Sequence, residues 1–369
     1  MNDARLEQLR TEVRAWERAQ FGLPPGEPAA GARGLRAPPG DWPRLQIPQW
    51  KEAMEVRAAV SPDCSFRLLR DALSAAKKSV DVYIYNLQSD RIAELLRDLP
   101  AGVKLRIMFD VTDHTAARSE QAELATIKQA EEKEAPSAGN RRIFTVCHQK
   151  YAVIDNASVV LGSANWAESA IPYLPKVGTF KKGNREWLLQ LKSTAAAEWF
   201  TSLFEADWNL PASGGVPAAL ELARPEPVMV PARTIDPPKP VDVLISPKGS
   251  KIQVTPVISP QNYFEEVGKL IRGAKKSIYI QQQYILAGGT KVEGLIQEVA
   301  RQSQQLDVRI MVSPAFPENW QRSVKTLNLF GLQGKLKALN LDHYIHLHNK
   351  GLIIDGKHVV VSSTNWSKN

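Results

Sequence analysis

The sequence predicts an α/β protein built from two similar α/β sandwich domains related by duplication. Three observations indicate this fold class. Strand-like apolar runs alternate with helical periods along the chain, which is typical of α/β domains. A segment that begins at residue 60 recurs from residue 258, and a polar motif at 147–166 recurs at 347–366. With 369 residues, the chain is long enough for two domains with separate cores.

The first repeat consists of a turn, a helix and a strand. Residues 60–87, VSPDCSFRLLRDALSAAKKSVDVYIYNL, parallel residues 258–285, ISPQNYFEEVGKLIRGAKKSIYIQQQYI. A further helical stretch then leads to a second strand, where LRIM at 105–108 matches VRIM at 308–311. In both copies the helix ends in Ala-Lys-Lys-Ser, and we expect these lysines to be solvated at a helix C-terminus, where positive charge is favoured.

Two segments rich in proline and glycine divide the chain. Residues 22–48 form one such connector, and apolar residues at helical spacing ahead of it predict an amphipathic helix over 4–20 that docks on a domain. The predicted division is an N-terminal helix and connector at 1–50, a first domain at 51–210, a linker at 211–250 and a second domain at 251–369.

The polar motif carries the candidate chemistry. CHQKYAVIDNASVVLGSANW at 147–166 aligns without a gap to LHNKGLIIDGKHVVVSSTNW at 347–366, with nine of twenty positions identical. Because residues two apart on a strand share a face, the histidine and lysine of each copy point together. The shared polar pairs are His148 and His348, Lys150 and Lys350, Asp155 and Asp355, Ser163 and Ser363, and Asn165 and Asn365.

A hairpin turn is predicted after each motif strand, with the motif aspartate at the first turn position. The aspartates are therefore as well explained by a structural role as by a catalytic one. With Gly356 and Lys357 as the central pair, each hairpin presents a cluster of histidine, lysine, serine and asparagine. The predicted facing pairs are His348 with Asn365 and Lys350 with Ser363, and the first copy has the same pairs.

Two such clusters facing each other suit a phosphate group. Two lysines with amide and hydroxyl donors stabilise developing negative charge on a phosphoryl group. One neutral imidazole can attack phosphorus while the other, protonated, delivers a proton to the leaving oxygen. No Cys/His set or carboxylate cluster in the sequence suggests a metal site, so we expect no metal ion or other cofactor. His346 shares the strand face of His348 and could line the pocket.

The duplicated H-x-K-x4-D motif with its downstream Ser-x-Asn resembles the phospholipase D superfamily, and the resemblance covers about residues 52–369. It implies two α/β domains around a pseudo-twofold axis, with one site at their interface. It also implies a covalent phosphohistidine and metal-independent hydrolysis, or transfer to an alcohol. It places the nucleophile at His148 and the acid/base at His348.

The superfamily pattern includes a further acidic residue that orients the histidine. Glu186, in the run GNREW, fits this role, and we expect it to be the partner of His148. The second copy offers no counterpart before Asn369. We therefore expect the sequence to be a fragment of a longer protein, with the second domain truncated at its C-terminus.

The substrate is left open between two classes. Cleavage of a phospholipid headgroup, with peripheral membrane contact, is favoured by the apolar loops at 169–175 and 313–320. A metal-independent endonuclease is the alternative, supported by the net charge of +8 and by basic pairs at 141–142 and 181–182. A third class is a binding or scaffolding protein whose active site has lost its activity. The intact motifs in both halves argue against this class. Because both half-sites lie in one chain, we expect a monomer.

The remaining features indicate a reduced, soluble protein. Two cysteines, Cys64 and Cys147, make no disulfide framework, and Cys147 is expected to be a small buried side chain. The N-terminus lacks a signal peptide and no apolar run is long enough to span a membrane, which favours the cytoplasm unless export uses another route. Trp166 and Trp366 are expected to anchor the core.

Overall fold

The computed structural model describes residues 45–110, 123–137, 143–144, 146–176, 180–210, 238–286 and 290–367, and four residues near the N-terminus. Those four, Gln8, Thr11, Glu12 and Ala15, are helical and fall within the helix predicted at 4–20. The rest of that helix, most of the first connector and residues 211–237 of the predicted linker lie outside the described residues.

An eight-stranded sheet organises the first half of the molecule. Two of its three described helices begin where a serine side chain accepts a backbone N–H group, Ser89 from Ile92 and Ser193 from Ala196. The elements in chain order are β1 (Trp50–Ala53), β2 (Glu55–Ser61), α1 (Ser65–Leu73), β3 (Ser79–Ile84), β4 (Leu87–Gln88), α2 (Asp90–Arg97), β5 (Lys104–Phe109), β6 (Ala130–Glu134), β7 (Lys150–Ile154), β8 (Ser158–Gly162), β9 (Trp166–Ala167), β10 (Glu186–Lys192), α3 (Thr194–Trp208), β11 (Leu244–Ile245) and β12 (Lys251–Val254).

A five-stranded sheet organises the second half. Its elements are α4 (Tyr263–Gly273), β13 (Ser277–Gln282), α5 (Thr290–Gln302), β14 (Asp307–Val312), α6 (Pro317–Leu329), a 3₁₀ turn (Gln333–Lys335), β15 (Leu336–Ala338), β16 (Lys350–Ile354) and β17 (His358–Ser362). Buried residues of β13, β14 and β16 pack with those of α4 and α5 in one core.

The two sheets share one topology. The order β8-β7-β3-β5-β6 in the first sheet matches β17-β16-β13-β14-β15 in the second. In both, the strand after the first helix pairs in parallel with the next strand and antiparallel with the motif strand. The first sheet continues beyond β8 with β10, β2 and β11. The predicted α/β fold with an internal duplication is therefore confirmed.

The motif hairpins turn one residue earlier than predicted. Ile354 faces His358 and Lys350 faces Ser362, so the expected pairing of Lys350 with Ser363 is wrong. The first copy shows the same shift, with Ile154 opposite Ser158. The left-handed residues are Asp155 and Asn156 in one turn and Asp355 and Gly356 in the other, with φ between 50° and 65°. These φ values place the turn centre on the motif aspartate and the residue after it.

The motif aspartates hold the Lys-Lys-Ser segments through their backbones. The Asp355 carboxylate accepts N–H groups from Lys275, Lys276 and Ser277 at 2.9, 2.7 and 2.9 Å. Asp155 accepts the equivalent N–H groups of residues 77–79. Each aspartate thus ties its hairpin to the start of the neighbouring strand, β3 or β13. This contact fixes the turn position and favours the structural one of the two roles considered for the aspartates.

Two strands on either side of the predicted linker boundary at residue 250 pair with strands of the first half. β11, within the predicted linker, adds to the sheet edge beside β2. β12 pairs with β1 in a separate two-stranded ribbon. The domain boundaries given above stay a prediction. In the part of the chain that the structure describes, no helix is both long and apolar enough to cross a membrane.

Candidate active site

The two copies of the motif meet where the halves of the molecule pack together. The rings of His148 and His348 lie 6.4 Å apart between centroids. Each histidine precedes a motif strand, and each strand begins with a buried lysine, Lys150 at 4% and Lys350 at 0% exposure. The structure thus brings together the histidine and lysine side chains of the predicted site.

A short backbone connection joins the halves beside the histidines. Arg185 donates its N–H to the carbonyl of His346 at 2.8 Å, and its carbonyl accepts the N–H of His348 at 3.1 Å. Ile345 donates to the carbonyl of Gly183 at 2.9 Å. The chain enters β10 immediately after this connection. Glu186, the first residue of β10, is therefore placed against the second motif.

Glu186 contacts His348 rather than His148, so the expected pairing is wrong. Its Oε1 lies 2.7 Å from Nδ1 of His348, and its Oε2 accepts the Ser163 hydroxyl at 2.5 Å. The carboxylate is fully buried, and burial raises its pKa, opposed by the positive charge of Lys350. Glu186 contacts His348 because the backbone hydrogen bonds between 183–186 and 345–349 place it next to the second motif.

His148 is held by the opposite half as well. Its Nδ1 lies 2.9 Å from the backbone carbonyl of Ser363. A carbonyl can only accept, so Nδ1 carries the hydrogen and Nε2 of the neutral ring carries a lone pair. Burial, and then the charges of Lys150 and Lys350, hold the pKa of His148 well below its usual range. The ring is therefore neutral at pH 7.

The two lysines are fixed in matching ways. Each ammonium group donates to the carbonyl of the histidine two residues earlier, which keeps both charges at the meeting point of the motifs. The Lys150 ammonium also lies 4.6 Å from the ring centroid of Tyr85. Burial lowers the pKa of Lys350 to about 7, opposed by the negative charge of Glu186. The cluster has the positive charge and the imidazoles that phosphoryl chemistry uses.

The serines and asparagines of the motif differ between the halves. Ser163 is buried and links Glu186 to the Trp187 N–H, whereas Ser363 contributes its backbone carbonyl. Among the described residues, the side-chain oxygens of Asn165 and Asn365 are buried without a hydrogen-bond partner. Such atoms carry a desolvation cost that a bound polar group can relieve.

Two residues join the site besides those predicted to carry it. The His346 ring lies 5.3 Å from that of His348, as its shared strand face indicated, and burial lowers its pKa to about 3. Tyr85, which the sequence did not predict to be part of the site, packs edge-on against His148 with ring centroids 4.5 Å apart. Its signal was its position at the end of β3, the strand that pairs with motif strand β7.

The exposed fractions of individual side chains test several predictions made for residues outside the site. Trp166 and Trp366 are 3% and 1% exposed, so both anchor the core as predicted. Both cysteines are free and buried, which confirms the predicted burial of Cys147. Ile171 and Ala315 are fully buried, so the loops at 169–175 and 313–320 pack inward in part, whereas Tyr173 of the first loop is 38% exposed.

Of the two basic pairs that flank the first motif, the structure describes the one at 181–182. Lys181 forms an ion pair with Glu168 at 2.5 Å, and residues 141–142 lie outside the described residues. Within the described ranges, no group of three or more histidine, cysteine or carboxylate side chains is arranged to hold a metal ion.

Comparison with protein families and curated proteins gives a consistent match. The chain matches the model of a family described as cardiolipin synthase, PLD-like domain, over residues 69–208 and 267–369. It is similar to the mitochondrial cardiolipin hydrolases of Mus musculus and Homo sapiens, each 27% identical over 144 residues, or 39% of this chain. The matches cover 57% and 50% of those proteins, so the chain spans about half the length of the curated relatives it matches.

Comparison with solved structures concerns the fold. Phosphatidylserine synthase of Haemophilus influenzae has a TM-score of 0.52 at 15% identity, covering 84% of this chain and 78% of that chain. Nuc of Salmonella typhimurium, a phospholipase D family member, has a TM-score of 0.35 at 21% identity, covering 42% of this chain and 93% of that chain.

Proposed function

The chain belongs to the phospholipase D-like family, and on this premise we propose that it cleaves the headgroup ester of a phospholipid through a covalent phosphohistidine. One observation carries the proposal. The two motif histidines face each other in opposite environments, His148 against a carbonyl and His348 against a carboxylate. This asymmetry divides the roles of nucleophile and acid between two otherwise equivalent residues.

His148 is the proposed nucleophile. Its neutral ring has its hydrogen on Nδ1, so the Nε2 lone pair attacks phosphorus and the bond from phosphorus to the leaving alcohol oxygen breaks. The product of this step is a phosphohistidine that carries the remainder of the ester.

His348 is the proposed general acid and base. The Glu186 carboxylate accepts its Nδ1–H and stabilises the imidazolium, whose Nε2–H protonates the leaving oxygen. In the second step, the neutral His348 removes a proton from water, or from an acceptor alcohol, as its oxygen attacks phosphorus. The phosphorus–nitrogen bond of His148 then breaks, and both histidines return to their starting states.

The lysines and asparagines stabilise the phosphoryl oxygens in this scheme. Lys150 and Lys350 each lie beside their own motif histidine, both charges act on His148, and they supply positive charge that a divalent cation supplies in other phosphodiesterases. The side-chain amides of Asn165 and Asn365 are proposed to point to the same group. We propose that this charge makes turnover independent of a metal ion, and that activity persists in EDTA.

The lipid substrate is supported by the names of the relatives. Both the matched family and the curated relatives are named for cardiolipin, a phospholipid with phosphodiester linkages. A nuclease is the second candidate, because the net charge of +8 also suits a nucleic acid. The curated relatives are mitochondrial by name, and a cytoplasmic location for this chain stays a prediction, as does the monomeric state.

Product analysis with defined substrates tests the proposal. The protein is incubated in EDTA with cardiolipin vesicles, phosphatidylcholine vesicles, single- and double-stranded DNA, and bis(p-nitrophenyl) phosphate. Cleavage of vesicles and of the p-nitrophenyl ester is expected. Cleavage of DNA without cleavage of vesicles would favour the nuclease, and a strict need for a divalent cation would contradict the role given to the lysines.

Two variants test the covalent step. His148→Ala should release no p-nitrophenol. His348→Ala should release one equivalent as a burst and retain the phosphoryl group on the protein, because p-nitrophenol leaves without protonation while hydrolysis needs a base. His358→Ala, an exposed histidine in β17, is the matched control and should behave as wild type. Full turnover by His148→Ala would overturn the mechanism.

A further inference from the structure

A short apolar segment lies exposed along the edge of the first sheet. Val241, Leu244 and Ile245 are 43%, 64% and 56% exposed. They account for three of the five large hydrophobic residues that are exposed in the described part of the chain. Leu244 and Ile245 form β11, which pairs on one side with β2 and is the outermost strand of the sheet. Because consecutive strand residues point to opposite faces, Leu244 and Ile245 expose aliphatic surface on both sides of this edge strand, as is typical of an interaction surface.

Lysines flank this segment on both sides. Lys239 precedes it, Lys248 and Lys251 follow it, and all three are exposed. The acidic residue within the segment, Asp242, forms an ion pair with Arg67, which offsets its charge. The segment therefore combines protruding aliphatic side chains with a net positive border, the combination that favours an anionic lipid surface.

The segment is attached to the end of the sheet that carries the active site. The buried Asp63 carboxylate accepts the Val241 N–H at 3.0 Å through one oxygen. Its other oxygen pairs with the Arg185 guanidinium at 3.0 Å. Arg185 precedes Glu186 and forms the backbone connection to the second motif. One carboxylate thus links the exposed segment to the strand start that holds His348.

We propose that Val241, Leu244 and Ile245, with Lys239, Lys248 and Lys251, form a docking surface for an anionic phospholipid bilayer. The aliphatic side chains enter the headgroup region, and the lysines bind lipid phosphates. A second copy of the chain fits less well, because antiparallel pairing of two β11 edges would bring the lysines of one copy next to those of the other. The inference rests on the proposed function, since the surface would bring the active site to its lipid substrate.

Vesicle cosedimentation tests this surface without requiring turnover. Wild type and His148→Ala are mixed with phosphatidylcholine vesicles that contain or lack phosphatidylglycerol, at low and high salt. Both proteins should bind the anionic vesicles, and binding should weaken with salt. The double variant Leu244→Asp with Ile245→Asp should lose at least tenfold in partitioning, and Lys248→Ala alone roughly fivefold. Val359→Asp, which replaces an exposed valine of the second sheet, is the matched control and should bind as wild type.

The outcomes separate this surface from the catalytic proposal. Equal binding by the double variant and wild type, or no binding of wild type to anionic vesicles, overturns the surface. Sedimentation velocity that shows a wild-type dimer and a monomeric double variant assigns the edge to self-association instead. Thermal melting of each variant checks that it is folded. If wild type binds the anionic vesicles but hydrolyses no phospholipid, the proposed function is contradicted and the docking surface is still supported.

Discussion

Oε1 of Glu186 lies 2.7 Å from Nδ1 of His348, although the two residues belong to different halves of the duplicated fold. His148 is likewise bonded through Nδ1 to the carbonyl of Ser363 in the opposite half. Each histidine is therefore oriented only when the halves are packed together. A change that leaves each half folded but loosens their contact should abolish activity.

Glu186→Gln should impair reactions that need a proton on the leaving group. The amide keeps the shape of the side chain and removes the charge that stabilises the His348 imidazolium. We expect a loss of about 10²–10⁴ in kcat on a phospholipid, whose alkoxide needs protonation, and a much smaller loss on a p-nitrophenyl ester. Glu168→Gln, in an exposed ion pair with Lys181, is the control. Equal losses on both substrates would contradict the acid role.

Deprotonation of Lys350 should weaken substrate binding at alkaline pH. Burial lowers its pKa to about 7, so the ammonium loses its proton as pH rises through that value, and the site loses one of its positive charges. We expect KM to rise above about pH 7 and the rise to be reduced in Lys350→Arg, whose charge persists. A KM that stays flat through this range in wild type would show that Lys350 remains charged or does not contact the substrate.

The lowered pKa of Lys350 should also make the free energy of unfolding depend on pH. Between about pH 7 and the ordinary lysine pKa of 10.5, the unfolded chain binds a proton that buried Lys350 has lost. The contribution of Lys350 to the free energy of unfolding should therefore increase with pH over this interval. Urea unfolding of wild type and Lys350→Met, compared across it, isolates that contribution.

Asp355→Ala should reduce stability and leave catalysis nearly unchanged. The substitution removes the acceptor for three backbone N–H groups at the start of β13. We expect a loss of about 1–3 kcal/mol in the free energy of unfolding, measured in urea. kcat should be retained at temperatures where the variant is folded. Lys357→Ala, an exposed residue of the same turn, is the control. A loss of kcat with normal stability would assign the aspartate to catalysis.

Gly351→Ala should disturb the contact between the halves. A Cβ at this position would lie 2.3 Å from a ring carbon of Trp187 and 2.9 Å from the carbonyl of Val360. Because Trp187 follows Glu186, its displacement should move the carboxylate away from His348. We expect a destabilisation of about 1–3 kcal/mol and a marked fall in kcat.

Gly334→Ala is the matched control for this change, since a Cβ there would meet no atom within 4 Å. The double variant Gly351→Ala with Trp187→Leu should recover part of the lost activity, because the smaller side chain relieves the clash. Similar effects of the two glycine substitutions would contradict the role of this contact.

The sequence alone determined the fold class, the duplication and the set of reactive side chains. Strand and helix periods are local, and two gapless copies of one motif identify His148, His348, Lys150 and Lys350 without knowledge of distant contacts. The phospholipase D resemblance drawn from those residues is confirmed by the family match over most of the chain.

The tertiary structure decided which residues touch. The turn register depends on the Asp355 carboxylate, which accepts backbone N–H groups nearly eighty positions away in the chain. Strand periodicity carries no information about such contacts. The partner of Glu186 depends on the pairing of residues 183–186 with 345–349 across the interface. Spacing along one strand can specify a shared face, whereas contacts between the halves follow from the packing of two sheets, which only the folded chain defines.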